Sequence, residues 1–128
     1  MSVQLNHTIV YATDKKASAE FLAGLLGLEV QPQFGPFLPV AAANDVTLDY
    51  IDAGAEPVTP QHYAFLVSEQ EFDEIFARIG AAGLAYYADP GRKHPGEINH
   101  HDGGRGVYWA DPDGHVLEII TRPYGSGS

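Results

Sequence analysis

Apolar and polar positions along the chain predict the same order of elements twice. Residues 3–12 (VQLNHTIVYA) are rich in β-branched and aromatic side chains, which is typical of a β-strand. Asp14 can cap a following helix that Gly27 would end. The apolar side chains of this helix share one face at Ala17, Phe21, Leu25 and Leu26. Three shorter extended stretches are predicted at 28–31, 37–42 and 46–52.

The order begins again after a connector at 53–60, where two prolines and a glycine disfavour regular structure. Residues 62–67 (HYAFLV) predict a strand, and Ser68 or Glu69 can cap a second helix that stops at Gly83. The apolar stripe of that helix is Phe72, Ile75, Phe76 and Ile79. Further strands are predicted at 84–88, 106–109 and 115–121, the last two joined by the turn sequence Asp-Pro-Asp-Gly.

The two halves match at a nearly constant offset. His7 and His62 are 55 positions apart, as are Phe21 and Phe76, and Asp49 corresponds to Glu118. We therefore predict an α+β fold built from two tandem βαβββ modules that form curved mixed sheets.

The length and composition limit how this repeat can be organised. A chain of 128 residues that is 45% hydrophobic and 19% charged suits one globular domain. We predict that domain at 1–123, with module 1 at about 3–53, module 2 at about 61–122 and a disordered tail at 124–128. Neither module is expected to bury its sheet alone.

Charge excludes two classes of partner. The chain has 17 acidic and 7 basic side chains, which gives a formal charge of −10. Such a balance argues against binding to nucleic acid or to an anionic membrane surface. No window approaches eighteen consecutive apolar residues, and no secretory signal pattern is found. We expect a soluble, cytoplasmic protein.

The chain contains no cysteine, which excludes disulfides, thiolate zinc sites, iron–sulfur clusters and cysteine nucleophiles. A bound metal would therefore need nitrogen and oxygen ligands. The six histidines are His7, His62, His94, His100, His101 and His115.

Three polar residues fall on apolar strand faces. In the last strand Glu118 shares its face with Val116 and Ile120, where an ionised carboxylate is costly without a cation or several donors. His7 and His62 fall at equivalent positions of the repeat. Two imidazoles and a carboxylate suit a divalent metal. A lone strand histidine is nevertheless more often a hydrogen-bonded core or rim residue, and a lone strand glutamate usually faces solvent or forms an ion pair.

The chain resembles the vicinal oxygen chelate superfamily. The resemblance rests on the repeated βαβββ pattern, on His7, on His62 in HYAFLV and on the ending YWADPDGHVLEII at 108–120, and it covers about residues 5–121. That superfamily includes glyoxalase I, extradiol dioxygenases, fosfomycin-resistance transferases and bleomycin-resistance proteins. The resemblance implies the glyoxalase/bleomycin-resistance/dioxygenase-like fold. It also implies that His7, His62 and Glu118 are ligands of a divalent metal ion: Fe(II), Mn(II), Ni(II) or Zn(II).

Asp49 departs from the pattern of the superfamily. Members with a fourth protein ligand usually have Glu at this position, and Asp is one methylene shorter. Asp49 is therefore a possible fourth ligand, an acceptor behind the ligands or a bystander. Without it, two histidines and one carboxylate leave open positions, as in non-haem Fe(II) oxygenases.

The resemblance implies a substrate that chelates the metal through adjacent oxygens, such as a catechol or an α-hydroxy ketone. A proton carrier is also required, and the candidates are Tyr108 and, in the polar stretch at 89–105, His100 and His101. That stretch is long enough to be a lid or binding loop. The alternative is a solvated loop whose histidines titrate freely.

Two functions of different class remain open. The first is a metal-dependent enzyme, either an extradiol-type dioxygenase or a glyoxalase-type lyase or isomerase. The second is an antibiotic-resistance protein of the bleomycin type, which sequesters an aromatic or other natural product without turnover. Fosfomycin thiol transfer is disfavoured because the chain has only seven basic residues. A homodimer is expected from the family, with each site inside one chain or shared between two.

Overall fold

The computed structural model describes residues 2–127, and the chain divides into two units between Thr59 and Pro60. The division lies at the end of the predicted connector. Within the described residues each unit holds one α-helix and one three-stranded mixed sheet. We keep the names module 1 and module 2 for these units. None of the helices in residues 2–127 is long and apolar enough to cross a membrane.

Module 1 places its third strand at the centre of the sheet. Its elements are β1 (His7–Ala12), α1 (Lys15–Leu26), β2 (Leu38–Ala41) and β3 (Thr47–Asp52). Strand β3 pairs in parallel with β1 and antiparallel with β2. Helix α1 packs against this sheet, and Leu22 of the helix and Tyr50 of β3 are buried.

Module 2 repeats that arrangement with β6 at the centre. Its elements are β4 (His62–Leu66), α2 (Glu69–Ala81), β5 (Gly106–Ala110) and β6 (Val116–Ile120), with a short 3₁₀ turn at His101–Gly103. Strand β6 pairs in parallel with β4 and antiparallel with β5. The predicted α+β architecture of two modules is confirmed.

The helix ends follow from local side-chain chemistry. Asp14 caps α1 by accepting from two backbone N–H groups, and Gly27 ends the helix in the left-handed conformation at φ 71°. Ser68 caps α2 in a reciprocal capping box with Glu71. Helix α2 ends at Ala81, two residues before the predicted stop at Gly83.

The second predicted strand of each module is shorter than expected. The stretch at 28–31 is reduced to an isolated bridge at Val30, and the stretch at 84–88 to bridges at Tyr87. Pro32 directly follows the first stretch and has no N–H group to continue a ladder. Each sheet therefore has three regular strands instead of four.

Candidate metal centre

Glu118 is a buried carboxylate at the middle of the central strand of module 2. The residue is 1% exposed, and Leu117 and Ile119 on either side of it are buried on the opposite face. A buried ionised carboxylate is costly unless its oxygens are compensated. Here both oxygens have partners. Oε1 lies 2.9 Å from Nε2 of His62, and Oε2 accepts a hydrogen bond from the Tyr124 hydroxyl.

The parallel register of β4 and β6 brings the imidazole to the carboxylate. His62 stands opposite Val116 and Ala64 opposite Glu118. His62 and Glu118 therefore project from the same face of neighbouring strands. The His62 side chain is 44% exposed, so it reaches Glu118 from the rim of the sheet.

Tyr108 stands directly opposite Glu118 on the antiparallel neighbour β5. Its hydroxyl lies 2.8 Å from the Tyr124 hydroxyl, and its ring meets the His62 ring edge-on at 5.8 Å between centroids. Because Tyr124 donates to the carboxylate, Tyr108 must donate to Tyr124. The result is a chain of hydrogen bonds from Tyr108 through Tyr124 to Glu118.

Both hydroxyls of this chain are protonated at neutral pH, because the pKa of a tyrosine is ordinarily 10.0 and this site raises it. Burial is the largest cause that raises the pKa of Tyr108, and hydrogen bonds to Tyr124 and Glu118 raise it further. Burial also raises the pKa of Tyr124, and its bond to the Glu118 carboxylate adds to that effect. Both tyrosines are therefore hydrogen-bond donors in this site.

The His62–Glu118 pair fits the first coordination shell of a divalent cation. Two donors that each lie about 2.1 Å from a metal at a right angle are about 3 Å apart. The observed separation of 2.9 Å matches that distance, and it is also a normal hydrogen-bond length. Within residues 2–127 no group of three or more His, Cys, Asp or Glu side chains forms a complete metal cluster. The structure thus brings together two of the three ligands that the resemblance implies.

His7 lies in module 1, at the exposed start of β1. Its Nδ1 is 2.7 Å from the side-chain oxygen of Asn6. Because an amide oxygen only accepts, Nδ1 carries the proton, and the lone pair of Nε2 is the one that can bind a metal. Asp49 lies opposite Ile9 on β3 and is partly exposed.

The two candidate histidines of the long loop lie on the surface. His101 begins the 3₁₀ turn, and its ring meets the Tyr124 ring edge-on at 6.4 Å between centroids. His100 is exposed and directly precedes that turn. Asp102 follows with a left-handed backbone at φ 58°. Tyr108 therefore lies nearest to Glu118 among the three predicted proton carriers.

Tyr124 is the site residue that sequence reasoning missed. It lies in the stretch 124–128 that we predicted to be a disordered tail, of which Ser128 is outside the described residues. The available signal was a large aromatic residue in a segment otherwise made of glycine and serine. That signal is weak because it has no periodicity.

Comparison with known proteins identifies the family. Residues 4–119 match the glyoxalase/bleomycin resistance protein/dioxygenase superfamily. The chain belongs to this superfamily. The predicted resemblance is thereby confirmed.

Two kinds of relative are similar over most of the chain. The chain is 32% identical over 126 residues to the glutathione transferase FosA of Serratia marcescens, covering 93% of this chain and 81% of FosA. Among solved structures, it is 68% identical to the oxidase ChaP-H2, with a TM-score of 0.97 and full coverage of both chains. It is 64% identical to the oxidase ChaP-H1, with a TM-score of 0.94 and coverage of 97% and 99%.

Proposed function

We propose that the protein is a metal-dependent oxidase whose small organic substrate chelates a divalent cation through adjacent oxygens. The observation that carries this proposal is the buried Glu118 carboxylate, which faces the His62 imidazole at 2.9 Å. The full-length identity of 68% to the oxidase ChaP-H2 supports oxidation over lyase or isomerase chemistry.

The proposed ligands are His62, Glu118 and His7. Two imidazoles and a carboxylate with open positions form the set used by non-haem Fe(II) oxygenases, so Fe(II) is preferred over Mn(II), Ni(II) and Zn(II). A bound redox-active cation would supply Lewis acidity and a path for electrons from the substrate to O₂. We also propose that the protein is a homodimer, in which His7 comes from the same chain or from the second copy.

The residues around Glu118 would handle protons and orientation. Tyr108 is protonated and adjacent to the carboxylate, and because its one proton is donated to Tyr124, its oxygen is suited to accept a hydrogen bond from a substrate hydroxyl. The edge of the His62 ring packs beside it and would limit how a flat ligand enters. His101 lies beside Tyr124 and is exposed to solvent.

The FosA relative favours a second candidate, the transfer of glutathione to a small substrate. Glutathione is an anionic thiol, and binding it requires cationic groups. Arg105 is a cation close to α2, but it is already held by Glu69 and Asp73 at 2.8 Å each. This engagement and the net charge of −10 place the transferase second.

Metal binding is the first test. Protein purified without chelator is analysed for metal, and Fe(II), Mn(II), Ni(II) and Zn(II) are titrated by calorimetry. We expect Glu118→Gln, which keeps the shape and removes the charge, to weaken binding by more than about 100-fold, beyond the effect of residues that only support a ligand. The matched control is Asp45→Asn, at an exposed carboxylate of module 1 with no proposed role in the site, which should bind like the wild type. Wild-type affinity in Glu118→Gln would refute the proposed site.

The reaction is tested by O₂ uptake with a panel of catechols and α-hydroxy ketones, and in parallel by consumption of glutathione. Metal-dependent O₂ uptake supports the oxidase. Glutathione consumption without O₂ uptake would replace it with the transferase. Binding of a panel compound with neither reaction would indicate a sequestering protein.

The origin of His7 is tested by mixing two variants. His7→Ala and Glu118→Ala chains are each expected to lose high-affinity metal binding. Restoration of part of the binding after they are mixed and refolded together would mean that each site takes ligands from two chains. No restoration, with each chain dimeric by sedimentation, would place the site inside one chain.

A further inference from the structure

The two oxygens of the Glu118 carboxylate have different partners. Oε1 faces His62, the proposed ligand, whereas Oε2 accepts from the Tyr124 hydroxyl. Tyr124 is 55% exposed, so its ring lies at the surface while its hydroxyl reaches the buried carboxylate. The bond from Tyr124 to Oε2 is not needed to bring His62 and Glu118 together.

The segment that carries Tyr124 is attached to the long loop by Asp102. The Asp102 carboxylate accepts from the backbone N–H of Gly125 at 3.1 Å and of Gly127 at 3.2 Å. Arg122 donates to the carbonyl of Ser126, which closes the segment on itself. Tyr124 is therefore held on both sides of its position in the chain.

We propose that Tyr124 is a positioning residue for Glu118 and that Asp102 holds it in place. This inference rests on the proposed function, because it assigns a role relative to a proposed metal ligand. By occupying Oε2, the hydroxyl restricts the carboxylate to bind a cation through Oε1 alone. A carboxylate that binds through one oxygen keeps an additional coordination position open for a chelating substrate.

The physical reason is the freedom of a carboxylate about its last bond. Without a partner on Oε2 the group can rotate, and it can bind a cation through both oxygens. Partners that orient a ligand in this way contribute about 10- to 100-fold to metal affinity. Loss of the donor would also leave a buried acceptor oxygen without a partner, which destabilises the folded state. The same hydroxyl therefore both satisfies the carboxylate and orients it.

The test uses Tyr124→Phe, which removes the hydroxyl and keeps the ring. Co(II) is the probe, because its visible absorption reports ligand geometry. We expect Co(II) affinity to fall about tenfold and the spectrum of the bound ion to change. The matched control is Tyr86→Phe, whose ring contacts Phe76 instead of the site, and it should leave both readouts unchanged.

The role of Asp102 is tested by Asp102→Gly, which removes the carboxylate and tolerates the left-handed backbone. We expect the same change in spectrum with a smaller loss of affinity, because the hydroxyl remains but is held less firmly. Asp45→Gly in module 1 is the control, since Asp45 also has a positive φ, of 67°. Wild-type behaviour of Asp102→Gly would overturn the holding role.

The outcomes separate this inference from the proposed function. If Tyr124→Phe leaves the Co(II) spectrum unchanged while Glu118→Gln abolishes binding, the positioning role is wrong and the metal site stands. If Glu118→Gln binds Co(II) like the wild type, the proposed site fails and the inference fails with it. A lower melting temperature in Tyr124→Phe with an unchanged spectrum would indicate a purely structural contact.

Discussion

Modules 1 and 2 have the same strand register but place their acidic residues in different environments. Ile9 stands opposite Asp49 in module 1, as Ala64 stands opposite Glu118 in module 2. Each histidine precedes these pairs by two residues, so the geometry of the parallel strands is equivalent. Asp49 is nevertheless partly exposed, whereas Glu118 is buried.

The difference arises from what stands beside each acidic residue. The antiparallel neighbour of Asp49 is Pro39, which has no polar side-chain group, whereas the neighbour of Glu118 is Tyr108. Module 2 adds the Tyr124 hydroxyl from the C-terminal segment. The repeat thus sets the positions of the functional residues, while the side chains on neighbouring strands and the segment after β6 set their environment.

The largest expected effect tests whether the two cores are equivalent. Leu22 of α1 and Ile79 of α2 are both fully buried. We expect Leu22→Ala and Ile79→Ala each to lower the free energy of unfolding by about 2–5 kcal/mol, because each leaves a cavity. The measurement is urea denaturation followed by circular dichroism. A cost below about 1 kcal/mol in one module would show that its helix packs less tightly than the structure indicates.

Exchanging the acidic side chains sharpens the comparison at the site. Glu118→Asp gives module 2 the shorter side chain of module 1, and its carboxylate would retract from His62. We expect metal affinity to fall about tenfold or more, measured by calorimetric titration. The reciprocal Asp49→Glu should leave affinity unchanged. A gain in affinity from Asp49→Glu would instead make position 49 a fourth ligand.

The smallest effect concerns the first turn of α2, which is acidic, whereas that of α1 is not. Hydrogen bonds from Thr121 and then Arg105 hold the pKa of Glu69 below its ordinary value of 4.5. A depressed carboxyl pKa adds stability above the unfolded pKa, and this stability is lost as the pH falls through the folded value.

Glu69→Gln should therefore be less stable than the wild type at pH 7, with a difference that shrinks below about pH 4.5. The measurement is urea denaturation of both proteins across the acid range. A difference that does not vary with pH would mean that the charge of Glu69 contributes nothing to stability.

Local chemistry made much of the fold predictable. The helix caps at Asp14 and Ser68 depend on side chains within three residues of the N–H groups they bind, so their positions could be read from the sequence. The shortening of the predicted strands at 28–31 and 84–88 to isolated bridges could not be read from the sequence. A ladder needs a partner strand, and the sequence does not specify that partner.

Part of the candidate site was also predictable from local sequence patterns. The repeat and the strand period placed His62 and Glu118 on one face, and the observed register agrees with that placement. Tyr124 was not predictable, because its contact depends on the irregular path of the segment after β6.

The sequence by itself determined the two-module architecture, the superfamily and the restriction to nitrogen and oxygen ligands, since each depends on residue type and spacing. Tertiary structure alone decided that Glu118 is buried and Asp49 is not, and that the two Glu118 oxygens have different partners. The physical reason is that burial and hydrogen bonding depend on all the segments packed around a group, and one of them here, the irregular segment after β6, has no period that a sequence pattern can reveal.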